Sequence, residues 1–302
     1  MTEFGKSGFS DGAIVRELDE SEYSIISQLT LREGWLPGAN DVLIPMAIDK
    51  NGMFCCEFNN VIVSVVCGLR LNEELGFIGV YICRPEYRGK GFGLQLFLHS
   101  MDYLGPTRNI VLDAVEEQVA NYSKLGFIGD YNTWRFISKN PIMTGPHLGV
   151  RNFMKSDFDS VCILDAKMIG FSRITFINAL ANYPNSVFGV DKGDLNGELN
   201  GYVVARPALP LEGGENLIRV GPLIAKDMKT ALRLLTWVVN QFAGNIQFVV
   251  DALEINMEFT ESLLAAGFSK LFSCVRMWTK GRPSSFCVEN IFAVSCWEFQ
   301  VA

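Results

Sequence analysis

Apolar and polar positions along the chain follow two periods. Runs that alternate, or are apolar on both faces, read as strands: Ile14–Leu18, Met53–Phe58, Val61–Leu71, Leu75–Cys83, Asn109–Asp113 and Tyr131–Ser138. Between them the apolar residues recur at three- and four-residue spacing, which predicts helices. These are Ser21–Arg32 with Ser21 as N-cap, a short one near Asp41–Ile48, Gly91–Leu104 and Gln118–Leu125. In Gly91–Leu104 the residues Leu94, Phe97, Leu98, Met101 and Leu104 fall on one face. Asn59-Asn60 joins two strands as a hairpin turn. Leu75–Cys83 is apolar on both faces, as a strand in the middle of a sheet must be. The fold class is therefore mixed α/β, antiparallel at the start and built of strand–helix–strand units afterwards.

The segment Lys139–Pro146 carries two prolines and a glycine between apolar runs, and predicts a linker that cuts the chain almost in half. The halves echo one another. Ile110-Val111-Leu112-Asp113-Ala114 leads to Leu125-Gly126-Phe127, and Phe248-Val249-Val250-Asp251-Ala252 leads to Ala266-Gly267-Phe268. In both, a strand ends in Asp-Ala, a helical stretch follows and Gly-Phe closes it, which predicts an internal repeat.

Composition narrows the function classes. With 302 residues, 49% apolar and 20% charged, the chain is globular and long enough for two cores. The net charge is −7, of which −6 lies in residues 1–140. The basic excess of a nucleic-acid binder is missing. No apolar run approaches the roughly 20 residues of a membrane span, and the polar start MTEFGKSGFSDG lacks a signal peptide. The eight cysteines form no C-x-x-C pair and lie mostly in apolar strands, so they read as buried, reduced thiols of an intracellular, cytoplasmic protein. Cys55 and Cys56 are adjacent and should face opposite sides of a strand. The two histidines, His99 and His147, are far apart, and no metal site is expected.

The stretch from Ile82 to Leu94, Ile-Cys-Arg-Pro-Glu-Tyr-Arg-Gly-Lys-Gly-Phe-Gly-Leu, carries the chemistry. A buried strand feeds a loop with three glycines and then an amphipathic helix. Free amides and the dipole at a helix start favour an anion, and glycines let a phosphate approach the backbone. Arg88 and Lys90 add charge. The glycines Gly89, Gly91 and Gly93 are not the G-x-G-x-x-G of a dinucleotide fold, although Asp113 lies 20 residues beyond Gly93 as that fold would have it. The loop does not end in the Gly-Lys-Ser/Thr of a Walker loop, since Gly89-Lys90 is followed by Gly91.

Pro85–Gly93 resembles the pyrophosphate loop of the GNAT acetyltransferases, Arg/Gln-x-x-Gly-x-Gly/Ala, through Arg88, Gly91 and Gly93. Tyr122, four residues before Gly126-Phe127, matches the family's tyrosine. The resemblance covers residues 12–140. The loop Glu33–Asp41 is similar to that of a subgroup with a second GNAT-like domain appended, here 147–302. It implies two tandem GNAT-like folds, each with a mixed, mostly antiparallel sheet flanked by helices. It also implies transfer of an acetyl group from acetyl-CoA to an amine. The backbone of Ile82 and Cys83 would then hold the pantetheine and thioester, and Arg88, Gly89, Lys90, Gly91, Phe92 and Gly93 the pyrophosphate. A backbone N–H aimed at the thioester carbonyl would serve as an oxyanion donor. Tyr122 would protonate the leaving thiolate, since a phenol near ~10 stays protonated at neutral pH. Its alternative is a packing aromatic.

Glu33, Asp41, Glu73 and Glu74 are the acids near the loop and the central strand, and none is assigned as general base. Trp35 sits where acceptor loops of the family lie. An aromatic face in an acidic half suits a cationic acceptor, a small primary amine or a lysine-like side chain; the alternative is that Trp35 packs under its loop. In the second half, Arg219–Ala231 has no Arg-x-x-Gly-x-Gly, and Leu263 replaces the tyrosine. That half is expected not to bind coenzyme A. The rival reading is an acyl-CoA-binding sensor or scaffold without catalysis.

Overall fold

The computed structural model describes residues 12–192, 198–210, 214, 216–296 and 298. The first half runs β1 (Ile14–Glu17), α1 (Ser24–Arg32), α2 (Leu43–Ile48), β2 (Met53–Phe58), β3 (Val61–Arg70), β4 (Leu75–Cys83), α3 (Phe92–Leu104), β5 (Asn109–Val115), α4 (Glu116–Lys124) and β6 (Ile128–Lys139). The second runs β7 (Val150–Asn152), α5 (Phe158–Ile169), α6 (Ile174–Ala181), β8 (Val187–Lys192), β9 (Leu199–Ala208), β10 (Asn216–Ala225), α7 (Met228–Val239), β11 (Ile246–Leu253), α8 (Met257–Ala265), β12 (Ser269–Trp278) and β13 (Ile291–Val294).

Most boundaries follow from local chemistry. Asn59 and Asn60 take positive φ (51° and 59°), the left-handed pair that a two-residue hairpin needs and that asparagine tolerates. Ser21 does not cap α1. Asp19 accepts the Ser21 amide and Glu22 reaches back to the Asp19 amide, capping a short 3₁₀ turn that precedes the helix. β6 starts three residues earlier than the alternation suggests, because Ile128, Gly129 and Asp130 are exposed and show no buried face.

The strands form one sheet in the order β1-β2-β3-β4-β5-β12-β6-β11-β13-β10-β9-β8-β7. Apart from β13, this order is a palindrome about the β12–β6 pair. The halves have exchanged strands: β12 sits between β5 and β6, and β6 sits between β12 and β11. The exchange explains the repeated Asp-Ala. Asp113 on β5 lies opposite Arg276 on β12, and Asp251 on β11 lies opposite Arg135 on β6. Each aspartate is held by an arginine of the other half through paired hydrogen bonds of 2.7–2.9 Å. Buried charges need such partners. The segment after β6 also lies against the second half, with the Asn140 and Ile142 amides donating to Ile246 and Ala266.

α1 packs on one face of the sheet and α3 and α4 on the other. Cys55 and Cys56 accordingly enter cores on opposite faces. Ile44 of α2 shares a core with residues of α5 and α6, so that face is continuous across both halves. All eight cysteines are free thiols. Among the described residues no helix is long and apolar enough to cross a membrane, and no group of His, Cys, Asp or Glu is placed to hold a metal.

Candidate active site

A bulge and a splayed strand pair build the site. Val80 takes φ of 49°, and the register of β4 against β3 shifts between Ile82↔Val65 and Gly79↔Cys67. The bulge increases local twist. The parallel pairing of β4 with β5 stops at Phe77↔Val111, while β5 stays paired to β12 from Val111 to Val115. Beyond Phe77 the two strands part, leaving the β4 edge from Ile78 to Cys83 facing a cleft of about 820 Å³.

The glycine loop closes one end of this cleft. Gly89 and Gly91 take φ of 74° and 86°, and Gly91 is the N-cap of the 13-residue α3. The first amides of α3 have no acceptor within the helix, as at any helix start, which favours an anion there. Any residue but glycine would strain the backbone at Gly91 as well as fill space. Gly93 is glycine for a different reason: a Cβ there would lie 2.7 Å from the Tyr81 hydroxyl. Of the residues read as the cofactor loop, Ile82, Cys83, Arg88, Gly89, Lys90, Gly91 and Gly93 line the cleft. Phe92 does not. Its side chain is 2% exposed, in the core against Phe58 and Tyr87, so only its backbone faces the loop. Alternation along a helix start cannot reveal which way a single aromatic turns.

Tyr122 of α4 lines the cleft and packs on Phe97, Phe127 and Tyr81. Burial, with Tyr81 beside it, pushes its hydroxyl well above the ordinary phenol range. Asp113 also lines the cleft, but Arg276 holds both its oxygens, so it is no ribose ligand of a dinucleotide. Burial raises the Asp113 carboxyl, and Arg276 offsets this only in part.

The far wall joins the two halves. Trp35 and Glu33 come from the α1–α2 connection, and Phe272 and Cys274 from β12. Phe272, Cys274 and Tyr81 were not legible as site residues. Topology brings β12 in from some 160 residues away, and Tyr81 is one more residue of an apolar strand. The second half holds the later part of the Trp35 loop, from Pro37 to Asp41, while Trp35 itself is held by first-half residues. Gly38 bridges Ala208, the Ala39 amide donates to Pro207 at 2.9 Å, and Leu209 donates back to Pro37 at 2.8 Å. Arg135 donates to the Trp35 carbonyl. Arg206 of β9 grips both oxygens of Asp41 at 2.7 and 3.0 Å. Burial pushes the Asp41 carboxyl up, and Arg206 more than offsets it, holding it below the usual range. Asp41 is thus committed to structure. Glu73 is 99% exposed on its side chain, and of the four acids first considered only Glu33 lines the cleft.

The second half has the same strand–loop–helix without the opening. Parallel pairing of β10 with β11 ends at Val220↔Val250, and there β13 enters, pairing with Leu223 and Ile224 on one side and with Asp251 and Ala252 on the other. At the start of α7 the Asp227 carboxylate takes the Thr230 amide at 2.7 Å, so a fixed anion already occupies that helix start. Leu263 is fully buried.

Comparison with known proteins finds the same family in both halves. An acetyltransferase (GNAT) family model matches residues 14–127, and an acetyltransferase (GNAT) domain model matches 161–293. The chain belongs to the GNAT superfamily, with two GNAT units in tandem. A relative, holothin acyltransferase of Pseudoalteromonas sp. (strain SANK 73390), is 26% identical over 263 residues, covering 87% of this chain and 86% of its own. A crystal structure from Pyrococcus horikoshii, classed as an acetyltransferase, superposes with a TM-score of 0.77 at 18% identity, covering 99% of each chain. A tandem GNAT protein from the clavulanic acid biosynthesis pathway gives 0.58 at 12% identity, covering 90% of this chain and 100% of its own. Both structures share the fold.

Proposed function

We propose that the protein is an N-acyltransferase that moves an acetyl group from acetyl-CoA to the primary amine of a small molecule or a lysine-like group. The first half, 12–140, carries the reaction. The second, 147–302, holds the acceptor loop and binds no coenzyme A. The observation that carries this reading is the contrast between the two slots: the one between β4 and β5 is open and leads to a glycine loop, whereas β13 fills the other. The name of the holothin acyltransferase relative supports a small-molecule acceptor.

Acetyl-CoA, when bound, supplies an activated thioester. The chain's own residues do the rest. The unpaired edge of β4 at Ile82 and Cys83 offers backbone groups for an extended pantetheine, as a sheet edge does for a strand. Arg88, Lys90 and the amides of the α3 start suit a diphosphate. Tyr122 presents a protonated hydroxyl to the leaving sulfur. The acidic first half draws a cationic amine, and Trp35 offers it an aromatic face.

Calorimetry with coenzyme A should give one site per chain, and thiol release from acetyl-CoA should depend on added amine. Two sites would show that β13 yields, and thiol release indifferent to every amine in a panel would sink the transferase reading in favour of a sensor. Trp35→Ala should raise KM for the amine about 2–30-fold and leave KM for acetyl-CoA nearly unchanged. Equal shifts in both would return Trp35 to a packing role.

A further inference from the structure

Glu33 occupies an unfavourable place for a carboxylate. It is the C-cap of α1, where the helix dipole presents its negative end. Gly34 then turns the chain with φ of 74°, and Trp35 follows on the cleft wall. What balances the Glu33 charge is Arg88. Its Nη2 donates to Glu33 Oε1, and its Nε donates to the Cys83 carbonyl at 2.9 Å. One guanidinium thus touches the end of β4, belongs to the glycine loop and grips the acceptor loop.

We propose that Glu33 is the acceptor-binding carboxylate and that Arg88 couples it to the cofactor. The proposal rests on the acyl-CoA reading of the cleft. A diphosphate at the glycine loop and Glu33 compete for the same guanidinium. As Arg88 turns to the diphosphate, Glu33 loses its counter-ion beside a helix C-terminus and next to an aromatic face. The group that best replaces that counter-ion is the ammonium of the acceptor. Cofactor therefore strengthens binding of a cationic amine, and by linkage the amine strengthens binding of cofactor by the same factor. A neutral or anionic acceptor would gain nothing from the exchange.

Glu33→Gln keeps the side chain's size and removes its charge. Coenzyme A, titrated calorimetrically without amine, should bind up to about fivefold more tightly to this variant, because Arg88 is released from a partly exposed pair. KM for the amine should rise about tenfold or more as a charge-assisted contact is lost. Damage to the site would weaken coenzyme A binding, so tighter binding separates competition from a structural role. In an Arg88→Gln background the same substitution should leave coenzyme A affinity unchanged. Unchanged or weaker coenzyme A binding in the single variant would overturn the proposal. Failure of the unaltered protein to bind coenzyme A would instead overturn the acyl-CoA reading beneath it.

Discussion

Tyr122→Phe should lower turnover about 10²–10³-fold while coenzyme A affinity stays nearly constant. The substitution removes one oxygen from a side chain whose ring keeps every contact with Phe97, Phe127 and Tyr81. The fold is therefore not at stake, and the loss reads the hydroxyl alone. Burial holds that hydroxyl protonated far into the alkaline range, whereas a free thiol titrates near ~8.5. Tyr122 is thus a weaker acid than the thiol it serves. On the proposed reaction its contribution would be a hydrogen bond to the departing sulfur, and turnover should show no alkaline limb from this group between about pH 7 and 9. Tyr81 is the competing donor in the same cleft. A loss under about tenfold in Tyr122→Phe, with a large loss in Tyr81→Phe, would move the role to the strand.

Arg206→Met should cost about 3–5 kcal/mol of stability in a denaturant melt, the usual price of leaving one buried charge without its partner. Both side chains of the pair are buried, at 0% and 1% exposure. Arg206 also donates to the carbonyls of Gly221 and Ser295, so three segments lose a shared donor. Because Asp41 closes the Trp35 loop, in any folded protein that remains KM for the amine should rise more than KM for acetyl-CoA. A cost below about 1 kcal/mol would mean that the backbone contacts of Gly38 and Ala39 hold the loop unaided.

The sequence disclosed what depends on neighbours along the chain. The hairpin at Asn59-Asn60, the glycine loop ahead of α3 and the tyrosine before Gly126-Phe127 each have a local reason, and each is where its residues place it. The repeat was legible as Asp-Ala and Gly-Phe, but its cause was not. Asp113 meets Arg276 only because β12 crosses from one half to the other, and no spacing rule carries that information. The filled slot of the second half was hidden for the same reason: Ile291–Val294 is an ordinary apolar run until it is seen between β10 and β11. Asp41 shows the opposite failure. It had the chemistry of a base and the location of one, and its partner lay 165 residues away.

The exchanged strand also orders events during synthesis. β5 is complete at Val115 and β12 begins at Ser269. At roughly 5–20 residues per second, a ribosome needs about 8–30 s to cover that interval. Throughout it the edge of β5 lacks the strand that will cover it, and the wall later supplied by Phe272 and Cys274 does not exist. The first half carries the glycine loop and the tyrosine, yet its cleft is complete only when the far end of the second half has been made. An open strand edge of this kind invites pairing with another chain, so a slow nascent protein is exposed to misassembly just where the mature one is most tightly joined.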